Sequence, residues 1–236
     1  MKLIVLVILI ILALAGAGLY YFGRSIWVPV SQKVVGKRTV AAAVEQFSPV
    51  AEQRLVPYFN ESGIPFPPNQ ITLIGLKEEK RLELWAENNG HWVLVKTYEV
   101  RRASGKAGPK LVEGDEQVPE GLYRIEGLNP NSSYHLSLKL NYPNEFDLAQ
   151  AKIDGRTRLG GDIFIHGKAV SIGCLAMGDE AIEELFVLAD HVGKDDISVI
   201  IAPHDFRSRP PRNNGTEEWI RVLYDNIAEE LNKFTH

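Results

Sequence analysis

Residues 3–22 are almost continuously apolar behind a single Lys2. About twenty apolar residues are what an α-helix needs to cross a bilayer, so residues 1–22 predict an uncleaved, single-pass signal anchor. Ala15-Gly16-Ala17 supplies the small residues of a cleavage site as the alternative. Residues 23–67 read as a spacer and a packing helix. Alanines 41–43 favour helix, and Ser48-Pro49 offers a cap and a first-turn proline for a new one. Ala51, Leu55, Tyr58 and Phe59 share a face, Pro57 should kink or end the helix, and Gly63 should stop it.

Beyond the proline-rich stretch 64–69 the apolar period shortens to two. Residues 70–76 and 81–86 predict strands, the second with Leu82 and Leu84 alternating against Arg81, Glu83 and Trp85. Asn88-Asn89-Gly90 signals a hairpin into a strand over 91–100. Residues 122–126 and 134–140 predict core strands separated by an Asn129-Pro130-Asn131 turn. In the second, His135, Ser137 and Lys139 alternate with three leucines, so His135 is a candidate to line a cleft. Residues 144–160 predict a polar loop over that cleft.

The period lengthens again over 179–192, where Ile182, Leu185, Phe186 and Ala189 form a helical stripe ended by Gly193. Residues 198–202 predict a buried strand. A linker follows, then a helix capped by Thr216 with Trp219, Ile220, Leu223, Tyr224, Ile227 and Leu231 on one side. The chain thus divides into an anchor (1–22), a spacer and packing helix (23–67), a domain (68–206) and a C-terminal linker and helix (207–236).

A hydrophobic content of 45% and a charged content of 24% describe a globular protein. The net charge of −4 supplies no field for nucleic acid. One cysteine excludes an internal disulfide framework and multi-cysteine metal sites, and no cofactor or metal is expected.

That cysteine gives the strongest chemical signal. In Gly161-Asp162-Ile163-Phe164-Ile165-His166-Gly167-Lys168-Ala169-Val170-Ser171-Ile172-Gly173-Cys174 an apolar run delivers a histidine and a glycine-rich loop delivers the thiol. A thiol attacks as thiolate, and an adjacent imidazole can take its proton. Gly173 permits a sharp turn in which N–H groups could converge on an oxyanion. On chemistry alone, a small buried cysteine and a hydrogen-bonded histidine are the competing reading.

The strand ending in Ile-His-Gly, followed by Ser-x-Gly-Cys, resembles the catalytic motif of the L,D-transpeptidase (YkuD-type) family, its YafK-like murein branch in particular. Gly114 to Tyr123, with Pro119-Glu120-Gly121 in it, resembles the family's Pro-x-Gly segment; Ser104-Gly105, Gly108-Pro109-Lys110 and Tyr142-Pro143-Asn144 also match the branch. The resemblance implies an α+β, mainly β fold: a β-sandwich or barrel catalytic domain with flanking helices and the N-terminal transmembrane helix. It implies cysteine acyl transfer on peptidoglycan stem peptides. Cys174 would be the nucleophile and His166 the base, oriented by the Gly167 carbonyl. The N–H groups of Gly173 and Cys174 would hold the oxyanion, and Ser171 would hydrogen-bond the site loop or the substrate. His135, placed by the strand alternation, is a further candidate for substrate binding, with a surface or hydrogen-bonded histidine as the competing reading. An amine of another stem, a wall-linked lipoprotein or water would accept the acyl group.

Arg24, Lys33, Lys37 and Arg38 follow the apolar segment, a charge distribution that alone would keep the domain inside. The resemblance to wall enzymes instead places it in the periplasm, tethered to the inner membrane. Two positions depart from the family pattern: Ile172 stands where histidine is frequent, and Ala176 where arginine is frequent. Loss of that guanidinium removes an anchor worth about 1.5–3 kcal/mol for a terminal carboxylate. Arg207 is the candidate replacement. A hydrolase that cuts an existing crosslink, a general cysteine peptidase and a non-catalytic wall-binding module remain alternatives.

Overall fold

In the computed structural model, residues 2–211 and 217–235 are described. Thr216, the expected cap of the last helix, lies outside them. The elements run α1 (Lys2–Phe22), α2 (Arg24–Val35), α3 (Val40–Ser62), β1 (Ile71–Leu76), β2 (Arg81–Asn88), β3 (His91–Glu99), β4 (Arg102–Ala103), β5 (Gly121–Asn129), β6 (Ser137–Leu140), α4 (Glu145–Ile153), β7 (Phe164–His166), β8 (Leu175–Ala176), α5 (Asp179–Val192), β9 (Ile197–Ala202) and α6 (Glu218–Leu231).

The strands form one curled sheet in the order β3-β2-β1-β9-β5-β6-β7-β8-β4. Only β1–β9 and β7–β8 pair in parallel. Among the described residues the six α-helices hold more residues than the strands, so the fold is mixed α/β rather than mainly β.

Strand alternation sorts the core into two layers. Leu73, Leu82, Leu84, Val199 and Ile201 face α3 and α5, where Leu55, Phe59, Leu185 and Phe186 are buried. Ile74, Leu76, Trp85, Ile200 and Ala202 face the other way, onto Ile220, Leu223, Ile227 and Leu231 of α6. Burying each of those four aliphatic side chains contributes about 1.5–3 kcal/mol. The α6 cover explains why Glu83 and Trp85, opposite the leucines of β2, are both buried. Trp85 Nε1 donates to Glu83 Oε2 at 2.8 Å.

Three local expectations need correction. The spacer contains a helix, α2, with Pro29 inside it. Ser48-Pro49 starts no helix: α3 begins at Val40, capped by Thr39, whose hydroxyl accepts the Ala42 N–H at 3.1 Å. It runs through Pro49 and Pro57 to Gly63, which adopts the left-handed conformation of a helix stop. Residues 144–160 are not all loop. Asn144 and Asp147 form a reciprocal capping box that nucleates α4.

Among the described residues no single helix is long and apolar enough to cross a membrane. Ile4–Tyr20 and Arg24–Val35 pass by length and composition only as a pair, bent by 78°.

Candidate active site

β7 ends on His166, and β8 begins just after Cys174. Their parallel register pairs Ile165 with Leu175 and His166 with Ala176, so Cys174 enters β8 level with the start of β7, one strand spacing away. The connecting turn is pinned to the first residue of α5. Lys168 N–H donates to Asp179 Oδ1 at 2.9 Å, and the Lys168 ammonium pairs with Asp179 Oδ2.

His166 is only 2% exposed. Its Nδ1 lies 2.6 Å from the Gly167 carbonyl oxygen. A carbonyl only accepts, so in the neutral imidazole Nδ1 carries the hydrogen and Nε2 keeps the lone pair. Burial pulls the imidazole pKa below its usual value, against the Gly167 carbonyl, which raises it. The Tyr134 ring stacks on the imidazole, with centroids 4.8 Å apart and planes at 30°.

Cys174 is half-buried, and its thiol points to the Asp162 carbonyl at 3.8 Å. Burial pushes the thiol pKa up. Cys174 and His166 line one solvent-open cavity of about 360 Å³ with Tyr134, Ser137, Phe164 and Ile172. The cavity thus holds a thiol and an imidazole that burial favours in their neutral forms.

The expected oxyanion donors are not free. Gly173 N–H donates to Ser104 Oγ at 2.5 Å, and Cys174 N–H to Ser171 Oγ at 3.1 Å. Ser171 Oγ in turn donates to the Cys174 carbonyl at 2.5 Å, and Ser104 Oγ to the Glu116 carbonyl at 2.7 Å. Ser171 therefore shapes the cysteine turn. A substrate oxyanion reaching these amides must displace two hydroxyls.

Two candidate binding residues lie elsewhere. His135 has φ +81°, which breaks the alternation read from the sequence and delays β6 to Ser137. Its Nε2 meets Glu183 Oε1 at 2.8 Å, and its ring packs edge-on against Phe47. Arg207 is committed to the α6 side of the sheet. It donates to Glu83, Asp205 and the Phe234 carbonyl, so it is no carboxylate anchor for this cavity. Reading the sequence missed Tyr134 over the imidazole and the role of Ser104. The signals for them were an aromatic at the head of a predicted strand and the match of Ser104-Gly105 to the family branch.

Gly167 is held by space. A Cβ there would lie 2.7 Å from the Tyr134 carbonyl oxygen and 2.8 Å from Asp179 Oδ1. Gly167→Ala is expected to cost about 2–3 kcal/mol, because neither neighbour can retreat without breaking the turn. Urea unfolding should show it; a cost under about 0.5 kcal/mol would mean that the turn relaxes freely.

The family model described as the L,D-transpeptidase catalytic domain (YkuD) matches residues 70–201. YafK of Escherichia coli strain K12 is 36% identical over 112 residues, 47% of this chain and 43% of that protein. The match thus spans less than half the length of this curated relative. Among solved structures, the helical cell shape determining protein Pgp2 from Campylobacter jejuni superposes with a TM-score of 0.49 at 23% identity, over 58% of this chain and 49% of Pgp2. Bd1075 of Bdellovibrio bacteriovorus gives 0.44 at 20%, over 70% of this chain and 55% of its own. With more than half of its residues matched by the family model, this chain belongs to the L,D-transpeptidase catalytic domain family.

Proposed function

We propose that the protein is a cysteine acyl transferase of peptidoglycan stem peptides. One observation carries this reading: Cys174 shares an open cavity with an imidazole whose Nδ1–H is fixed on the Gly167 carbonyl, leaving Nε2 as the base. Cys174 Sγ attacks the amide carbonyl on the L-centre side of the diamino acid while His166 takes the thiol proton. The C–N bond breaks, His166 protonates the departing amine, and a thioester remains. An amine then attacks the thioester and regenerates the thiol.

Intact-mass spectrometry of the protein with purified muropeptides tests this. A stem-peptide adduct on Cys174 that an added amine discharges supports it; failure to acylate with tetra- or pentapeptide donors overturns it.

A second reading has its own observation. The described lining of the cavity contains no arginine or lysine, and Arg207 is engaged elsewhere. A donor with a free terminal carboxylate finds no guanidinium there, which favours an internal amide such as that of an existing crosslink, with water as acceptor. Equal turnover of muropeptides with and without acceptor amines would select this hydrolase.

The depressed pKa of His166 sets the pH dependence. Below its midpoint the imidazole is protonated and cannot take the thiol proton, so activity is lost as pH falls. Because burial lowers that midpoint, the acid limb of kcat/KM should lie below the ordinary histidine value of 6.5. A limb above 6.5 would show that the base is solvated or is another group.

For location, we propose a periplasmic domain tethered to the inner membrane through residues 1–22. Ile4, Leu6, Leu9, Leu12 and Leu14 of α1 are exposed, and so are Ile26, Val30 and Val34 along the outer face of α2. Apolar surface of this extent needs a cover, and lipid fits it. Residues 68–206 would then be the catalytic unit, with α3 and α6 packed on it. A lipoprotein amine at the wall is the alternative acceptor.

A further inference from the structure

β5 ends at Asn129 and β6 begins at Ser137, so the carbonyls of the turn between them lie outside strand pairing. Three residues of the N-terminal segment supply donors to that turn. Arg24 Nε donates to the Ser133 carbonyl at 2.7 Å, and Gln32 Nε2 to the Asn131 carbonyl at 2.7 Å. Arg38 donates through its guanidinium to the Pro130 carbonyl at 2.6 Å. The Asn131 amide closes the pair from the other side: Oδ1 accepts the Arg38 backbone N–H at 2.9 Å, and Nδ2 donates to the Arg38 carbonyl at 2.8 Å. Arg38 is itself held, by Gln46 Oε1 at 3.1 Å and over the Phe47 ring at 5.7 Å.

The turn so gripped is one wall of the cysteine cavity. Asn129, Asn131, Ser132 and Ser133 line it, and the next residue, Tyr134, stacks on His166. The Tyr134 N–H is fixed by Ser132 Oγ at 3.0 Å. A continuous path of contacts therefore runs from Arg24, Gln32 and Arg38 through residues 130–133 to the ring that covers the imidazole.

We propose that Arg24, Gln32 and Arg38 are positioning residues for catalysis: the segment that follows the apolar helix clamps the 130–133 turn and so holds Tyr134 over His166. The clamp makes the N-terminal segment a working part of the site rather than a tether alone. Its effect on turnover rests on His166 being the base; its geometry does not.

Asn131→Ala and Arg38→Gln in the full chain in detergent micelles test the clamp. The first readout is the proton NMR signals of the His166 ring, assigned by their loss in His166→Gln, which carry the ring-current displacement of Tyr134. In both variants they should move toward their positions in Tyr134→Leu. Turnover of wall fragments should show kcat about tenfold lower with KM changed less than about twofold, because a misplaced base costs the chemical step. The double variant should be no worse than the stronger single, since both cut one path.

Unshifted His166 signals in folded Asn131→Ala and Arg38→Gln overturn the proposal, whatever happens to stability or turnover. Should Arg38→Gln fail to fold, Asn131→Ala, which removes only a side-chain amide, decides alone. Shifted signals in a chain that fails to process wall peptides would uphold the clamp while rejecting the substrate reading.

Discussion

Cys174→Ser is expected to keep the fold and lower acyl transfer by at least about 10³-fold. The serine hydroxyl replaces a larger, more acidic group and can keep the contact to the Asp162 carbonyl, so the melting temperature should move by no more than about 2 °C. Chemistry suffers because the base is weak. Burial already lowers the pKa of His166, and an alcohol holds its proton far more tightly than a thiol. A depressed imidazole can accept a proton from a thiol being consumed by attack; it cannot do so usefully from serine. Product formation from muropeptides, followed by chromatography, measures the loss. Residual activity within tenfold of the parent chain would remove Cys174 from the role of nucleophile. Unchanged binding of wall fragments by a chain that never turned them over would instead fit a non-catalytic module.

The parts of the fold legible in the sequence were those encoded locally. Asn89 and Gly90 take φ +53° and +84°, the conformation that their residue types favour, and the hairpin β2–β3 follows. The stripe of α5 is buried as its period requires. What could not be read depends on partners distant in the chain. β2 has two buried faces only because α6 arrives from more than a hundred residues away. Arg207 looked available for a substrate carboxylate because the sequence does not show that Glu83 and Asp205 surround it. His135 fits an alternating strand on paper; a left-handed backbone conformation at that residue turns it to Glu183 instead. At the candidate site, the spacing from His166 to Cys174 implied proximity, and a parallel strand pair supplies it. The Ser171 hydroxyl meets the Cys174 amide within one turn, as the first of its two readings expects. The Ser104 hydroxyl on the Gly173 amide and Tyr134 over the imidazole are tertiary contacts that no local pattern announces.

Glu120→Ala is expected to destabilise the chain by about 3–5 kcal/mol, on the order of 10 °C in melting temperature. The Glu120 side chain is fully buried and is held by three donors: Lys77 Nζ at 2.9 Å, Gly108 N–H at 2.8 Å and Tyr224 O–H at 2.8 Å. The Lys77 side chain is only 5% exposed, and its ammonium also donates to the Gly108 and Val118 carbonyls. Burial already lowers the lysine pKa, against the attraction of Glu120. Removing the carboxylate leaves a cation without its counter-charge and a tyrosine hydroxyl without its acceptor. The cost is that of orphaned groups, so it should fall when they leave together. Lys77→Met, Tyr224→Phe and Glu120→Leu combined should recover at least half of the loss. Thermal unfolding of the parent, Glu120→Ala and the triple variant checks the ordering, and a cost below about 1 kcal/mol for Glu120→Ala would show that water reaches the site. The consequence extends to function. Lys77 ties the 108 and 118 segments together, and that loop presents Ser104 and the Gln117 carbonyl to Gly173. The same substitution should therefore weaken the cysteine turn, and turnover measured well below the melting point should fall with stability rather than independently of it.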